Sequence, residues 1–373
     1  AAASSSSSGG CLERAGAAYS LQWKAEGETF FDEFMFMTND PNSGAAEYLD
    51  KPTALEQKVV TAAPGSAVIR AGPKGTQPFK RMSAKVKTSR KWQYFLMALK
   101  FNHVPWGCGV WPAVWTTSPD AGWPNGGELD ILEYCNEQTS RSSFHTGQVN
   151  RCKLDERELQ KPGCKPFVDA EYNFTGHYDC VTNYPDQIGC APNRLPLMDG
   201  KQLSDRPGVV AAEWTQDYLK LFFIPEGSVP EDLESDRPRP DTWDEFAFAY
   251  YPFAASERNV PGSCPNPANV LKAQQLVLSL GFCGDWSSKI WVNSTCANKD
   301  GNTDSSGFGP KGSLLGSQCL AVDPHDPKGQ TPGGPMDCCT QFIYDENDEF
   351  GTEQYLKENA YFDIEWLKVY QQA

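Results

Sequence analysis

The feature that most constrains this chain is the recurrence of short aromatic and β-branched runs, each of strand length, cut apart by Gly, Pro, Asn and Asp. Residues 92–99, 127–134, 218–224, 276–280 and 361–370 are such runs, and no extended repeat at the helical period of about 3.6 residues competes with them. Within the last run, Phe362, Ile364 and Trp366 share one face while Tyr361, Asp363 and Glu365 share the other. That alternation reads as a terminal strand with one side against a core. The pattern predicts an all-β fold, a β-sandwich of the jelly-roll kind with a concave cleft.

A chain of 373 residues is long enough for two domains, yet β-sandwiches and barrels often exceed 200 residues as one unit. From Tyr19 onward no charge run, Pro-rich hinge or repeat divides the sequence. The expectation is therefore one catalytic-sized domain over 19–373, preceded by a flexible Ala/Ser/Gly-rich segment over 1–18. Two stretches lose the strand pattern, 136–207 and 298–335. The first contains Cys152, Cys164, Cys180 and Cys190, and the second ends before Cys338-Cys339. Loops this long need staples or a function.

Thirteen cysteines exceed what a reducing compartment favours, and no CxxC pairing of zinc type occurs among them. The expected location is secreted, with disulfide-stapled loops and at least one thiol left unpaired or paired outside the chain. Asn173 and Asn293 open N-glycosylation sequons that fit such a route. A net charge of −15 argues against nucleic acid, which is bound through clustered Lys and Arg. No run approaches the roughly 18 apolar residues of a membrane helix. A neutral polymer is the better partner, and the chain is expected to act as a monomer.

The chemistry concentrates in Gly127-Glu-Leu-Asp-Ile-Leu-Glu133. Hydrolysis of a glycosidic bond needs two carboxyl groups, one as nucleophile or base and one as acid. On a strand, Glu128 and Asp130 point to one face. Glu133 lies five residues from Glu128, an odd offset that sends it to the opposite face unless a β-bulge at Ile131-Leu132 restores the parity. With one residue absorbed, the glutamate Cα atoms stand roughly 13 Å apart. Side chains leaning inward leave a gap on the order of 5–6 Å, the spacing of a retaining glycosidase. The alternative is a solvated acidic face. Trp111, Trp115 and Trp123 lie just upstream; aromatic faces stack on sugars, although each Trp alone could equally be core.

Gly109-Val-Trp-Pro-Ala-Val-Trp115, Asn125-Gly-Gly-Glu-Leu-Asp-Ile-Leu-Glu133 and Phe144-His-Thr146 together resemble the catalytic core of glycoside hydrolase family 16, laminarinase type. Further similarity lies in Phe30-Phe-Asp-Glu-Phe34, taken as the first strand region, in Ala211-Ala-Glu-Trp214, and in Gly281-Phe-Cys-Gly-Asp-Trp286. The resemblance covers roughly residues 19 to 371 with gaps in the loop-rich stretches. It implies Glu128 as nucleophile, Asp130 as its helper and Glu133 as acid/base, with His145 close by. Trp111, Trp115 and Trp214 would line the glycone side of the cleft. His103, His177 and His325 lack such context and read as surface or structural residues.

The implied activity is that of a retaining endo-β-glucanase on β-1,3- or mixed-linkage β-1,3(4)-glucan. A transglycosylase remodelling cell-wall glucan and a non-catalytic glucan-binding protein are the alternatives. No cofactor is implied; some family members bind calcium near their terminal strands, which makes Asp363 a calcium candidate. Cys135 departs from the family pattern and either pairs with Cys108 or stays a buried thiol.

Overall fold

The computed structural model of the chain describes residues 16–149, 151–161, 163–167, 178–182, 189–194, 196–253, 264, 271–297, 332 and 337–373. The expected N-terminal segment lies almost wholly outside them, as do Asn173, His177 and His325. Two antiparallel sheets make up the fold. One is ordered β14 (Ala247–Pro252), β13 (Tyr218–Pro225), β12 (Gly208–Trp214), β8 (Leu96–His103), β16 (Tyr361–Gln372), β5 (Ser66–Arg70) and β4 (Val60–Ala63), with β1 (Tyr19–Glu26) also paired to β16. The other is ordered β11 (Arg141–His145), β10 (Glu128–Glu133), β9 (Val110–Thr117), β15 (Gln275–Phe282), β7 (Lys85–Thr88) and β2 (Phe34–Phe36). A short parallel pair, β3 (Ala46–Tyr48) with β6 (Arg81–Ser83), completes the strands among the described residues.

Side chains of both sheets join one continuous hydrophobic core, as the alternating pattern demands. On β16, Phe362, Ile364 and Trp366 are buried while Tyr361, Asp363 and Glu365 are half-exposed. The helices are short connections; among the described residues the C-terminal Thr352–Asn359 is the longest of them, at eight residues. Buried Arg81 ties that region to the sandwich. Its guanidinium donates to both Glu353 carboxylate oxygens at 3.1 and 2.9 Å, and to the Gly72 and Ile343 carbonyls.

Two expected boundaries moved for local backbone reasons. The run at 92–99 starts its strand only at Leu96, because Tyr94 takes a left-handed conformation at φ 53° that a strand cannot contain. Residues Gly27–Glu33 form a 3-10 turn instead of the first strand; they bury Phe30 and Phe31, and the chain becomes extended only from Phe34. The true first strand is β1.

Disulfides join Cys108 to Cys296, Cys152 to Cys264, Cys180 to Cys190 and Cys283 to Cys339; Cys164 and Cys338 are disulfide-bonded as well. In the chain-entropy picture, closing loops of these lengths stabilises the fold by about 3–5 kcal/mol each. Cys108 is thus committed elsewhere, and Cys135 is a buried free thiol. Among the described residues, no helix is long and apolar enough to cross a membrane.

Truncating a side chain under the acid strand should reveal how tightly the sheets pack. Leu129 is 1% exposed, so Leu129→Ala is expected to cost about 2–5 kcal/mol in thermal or denaturant unfolding. Leu55→Ala, at an exposed position, should stay within about 0.5 kcal/mol. Equal effects of the two changes would contradict the packing described.

Candidate active site

β10 lies between β9 and β11, and its backbone is fixed at both ends. Gly127 enters it at φ 76°, a conformation open to glycine, and its N–H donates to the Pro124 carbonyl at 3.0 Å. Beyond the strand, buried Asn136 turns the chain at φ 52°. Its side-chain oxygen accepts from the Gly109 N–H at 2.8 Å and its amide donates to the Ser287 carbonyl at 3.1 Å.

Between those ends the register slips by one residue. Against β9, Asp130 faces Trp115 while Leu132 faces Val114; against β11, Asp130 faces Ser143 while Glu133 faces Arg141. Ile131 is the extra residue of a β-bulge. Ile131 and Leu132 are consecutive yet both buried, and Glu133 returns to the half-exposed side that Glu128 occupies. The parity problem posed by the five-residue offset is resolved at the place the spacing required.

Each glutamate meets an indole. The Trp111 Nε1–H donates to Glu133 Oε1 at 3.0 Å, and the Trp123 side chain hydrogen-bonds Glu128. Asp130, itself buried, accepts from the Ser143 hydroxyl at 2.6 Å and lies 3.1 Å from His145 Nε2. Glu128, Asp130 and His145 place one ligand-type atom each within 4.8 Å of one another. Trp123, Ser143 and Thr182 already engage these groups, so the cluster is a closed hydrogen-bond network.

The sequence model of the XgeA-like catalytic domain of glycoside hydrolase family 16 matches residues 33–310. The chain belongs to glycoside hydrolase family 16. Its relatives include an endo-1,3(4)-β-glucanase of Arthroderma benhamiae, 26% identical over 98% of this chain and 67% of that one. A probable glycosidase of Schizosaccharomyces pombe is 28% identical over 74% of this chain and 62% of its own length. For an endo-1,3(4)-β-glucanase of Emericella nidulans the figures are 25%, 96% and 48%. The chain therefore spans between about half and two-thirds of the length of these relatives. Among solved structures, Laminarinase 16A of Phanerochaete chrysosporium superposes with a TM-score of 0.66 at 23% identity, over 95% of this chain and all of that one. At that identity the likeness is one of fold.

For a family 16 site the electrostatics are those of crowded acids. Burial raises Glu128 well above the ordinary glutamate value, and the charges of Asp130 and then Glu133 raise it further, against the opposing Trp123 contact. Glu133 is raised to about 8, first by burial and then by Asp130, with the Trp111 N–H opposing. The two glutamates titrate as a pair and hold a proton to higher pH than free glutamate does.

Of the aromatic residues named from sequence, Trp111 and Trp115 are half-buried beside the acids, and Trp123 is 50% exposed. The Trp115 indole donates to Ser279 Oγ at 3.2 Å. Trp214 is elsewhere: it ends β12 in the other sheet, 1% exposed, with its ring 5.0 Å from Tyr94 and 5.7 Å from Phe95. It is a core residue, because β12 is covered on both faces. Asp363 accepts from the Ser66 hydroxyl at 2.6 Å. Among the described residues it joins no set of three ligating side chains. Asn293 is exposed.

From sequence, no site role fell to Ser143, Thr182 or Trp286. The Trp286 ring meets Trp111 edge-on at 5.7 Å. Ser143 could have been found from strand parity, two residues before His145. Thr182 carried no signal, since it reaches His145 from a distant loop.

The raised Glu133 value gives a stability prediction with a definite sign. A group whose folded pKa exceeds its unfolded one contributes stability that is present below about 4.5 and lost as pH rises towards 8. Glu133→Gln should therefore raise Tm at pH 7.5 by roughly 1–2 °C, on the order of 1 kcal/mol after screening at its partly exposed tip. At pH 4 the two proteins should melt together. A lower Tm for the variant at pH 7.5 would contradict the assigned burial.

Proposed function

We propose that this chain is a retaining endo-β-glucanase acting on β-1,3- or mixed-linkage β-1,3(4)-glucan, with the sandwich over 19–373 as one catalytic unit. The observation that carries the reading is the bulged strand that presents Glu128 and Glu133 on one side, each met by an indole N–H. The curated relatives named as endo-1,3(4)-β-glucanases support the substrate class. The disulfides support an oxidising, extracellular setting.

Glu128 attacks the anomeric carbon while Glu133 gives its proton to the departing glycosidic oxygen, leaving a glycosyl ester on Glu128. Glu133, now ionised, takes a proton from water, whose oxygen displaces Glu128 and completes the second inversion. Asp130 sits between the two, and its charge is among the causes that raise both glutamates. Trp111, Trp115 and Trp123 offer aromatic faces for sugar rings. Every step is carried by carboxyl groups and water, with no cofactor in the scheme.

The presence of all three acids weighs against a binding protein without activity. A transglycosylase would share the first half-reaction and differ only in the acceptor, so it would yield products longer than the substrate at high oligosaccharide concentration. Reducing-end release from laminarin and from a mixed-linkage glucan tests the main reading. Wild-type protein should release reducing ends from at least one of them. Glu128→Ser should fall by on the order of 10⁴-fold or more while still folding and binding oligosaccharide. Appreciable turnover by that variant would overturn the assignment of the nucleophile.

The alkaline side of the rate profile follows from Glu133 as acid. Activity requires its proton, so kcat/KM should decline above about pH 8. A profile that stays flat to pH 10 would show that Glu133 is not the acid.

A further inference from the structure

His145 is held from behind by a loop that the double displacement does not use. Its Nδ1 lies 2.9 Å from the Thr182 hydroxyl, and Thr182 belongs to the chain between disulfide-bonded Cys180 and Cys190. The described ends of that loop pair with β11. The Thr182 N–H donates to the Thr146 carbonyl at 2.8 Å, and the Thr146 N–H to Cys180 at 2.8 Å. Phe144 and Cys190 exchange both bonds at 2.8 and 2.9 Å. β11 is the outer strand of its sheet, so these bonds close its free edge.

Gly189, on the returning side of the loop, sits at φ 64°. A Cβ there would stand 2.4 Å from the Phe144 carbonyl oxygen and 2.8 Å from His145 Nδ1. Nδ1 of the ring therefore meets the Thr182 hydroxyl with the bare Gly189 backbone close beside it.

The hydrogen-bond pattern assigns the ring's tautomer. Ser143 Oγ spends its one proton on Asp130 Oδ2 at 2.6 Å, so its contact with His145 Nε2 at 2.9 Å needs the proton on nitrogen. Nε2–H also faces Asp130 Oδ2 at 3.1 Å. Nδ1 is then the acceptor, and the Thr182 hydroxyl is its donor.

We propose that Thr182, presented by the Cys180–Cys190 loop, is a positioning residue that locks His145 as its Nε2–H tautomer and through it orients Asp130 between the two glutamates. The inference rests on the glycosidase reading for its effect on rate. Its structural half, the tautomer, stands independently. Replacing the hydroxyl by a methyl group removes, among the described residues, the donor that the loop sets against Nδ1. Asp130 then keeps Ser143 but loses the guided imidazole.

The test combines ¹⁵N NMR of the histidine rings with kinetics on laminari-oligosaccharides for wild type, Thr182→Val and Thr182→Ser. Wild-type His145 should show the Nε2–H pattern, and Thr182→Val a loss of that pattern. Thr182→Val should lower kcat roughly tenfold to a hundredfold, the scale of a slightly misplaced catalytic group, with KM little changed. Thr182→Ser should restore both signatures. A wild-type ring protonated on Nδ1 overturns the proposal even if no variant folds. So does a Thr182→Val enzyme with unchanged kcat, or a loss that serine fails to rescue. Wild-type protein inactive on every glucan would instead overturn the glycosidase reading and leave the tautomer to be judged by NMR.

Discussion

The site depends on one extra residue in one strand. Without the bulge at Ile131, strict alternation would send Glu133 into the core and Leu132 onto the cleft side. That arrangement would bury a charge and expose an apolar side chain at once, two errors in opposite directions. With it, Leu132 joins Ile131 in the core, where its burial contributes about 1.5–3 kcal/mol. That gain offsets the disrupted backbone pairing. The bulge that buries Leu132 thus also sets the spacing of the acids, and fold and chemistry share one local cause.

Everything around β10 reinforces that geometry. Gly127 and Asn136 turn the chain at either end through left-handed conformations, so the strand is bounded by backbone as well as by its neighbours. Trp111 and Trp123 donate to the glutamates from opposite ends of the acid row, and Ser143 and His145 hold the acid in the middle. Burial and mutual repulsion push both glutamates upward, which destabilises the folded state near neutral pH. On the proposed assignment, stability given up at the site is the means by which an acid and a nucleophile coexist there.

Much of this was legible in sequence because it is local. Strand runs, the acid motif and the need for a bulge all follow from side-chain parity within a few residues, and the burial of Phe362, Ile364 and Trp366 followed from the same rule. What failed was non-local. Trp214 follows a strand-like run just as Trp115 does, and no local feature told which sheet it would join; a covered β12 made it core. Cys108 found Cys296, 188 positions away, which decided between the two readings of Cys135 in favour of a buried thiol. Phe30 and Phe31 are apolar enough for a strand, yet a 3-10 turn buries them as well. Thr182 was invisible because its role exists only once a disulfide-closed loop is laid along β11.

The central claim is that the bulge places two carboxyl groups for double displacement. ¹H NMR of the first product released from a laminari-oligosaccharide tests it most directly, before mutarotation blurs the anomers. Retention predicts that the new reducing end appears first as the β-anomer. An initial α-anomer would mean that water attacks directly, and the account of Glu128 as a nucleophile would be wrong.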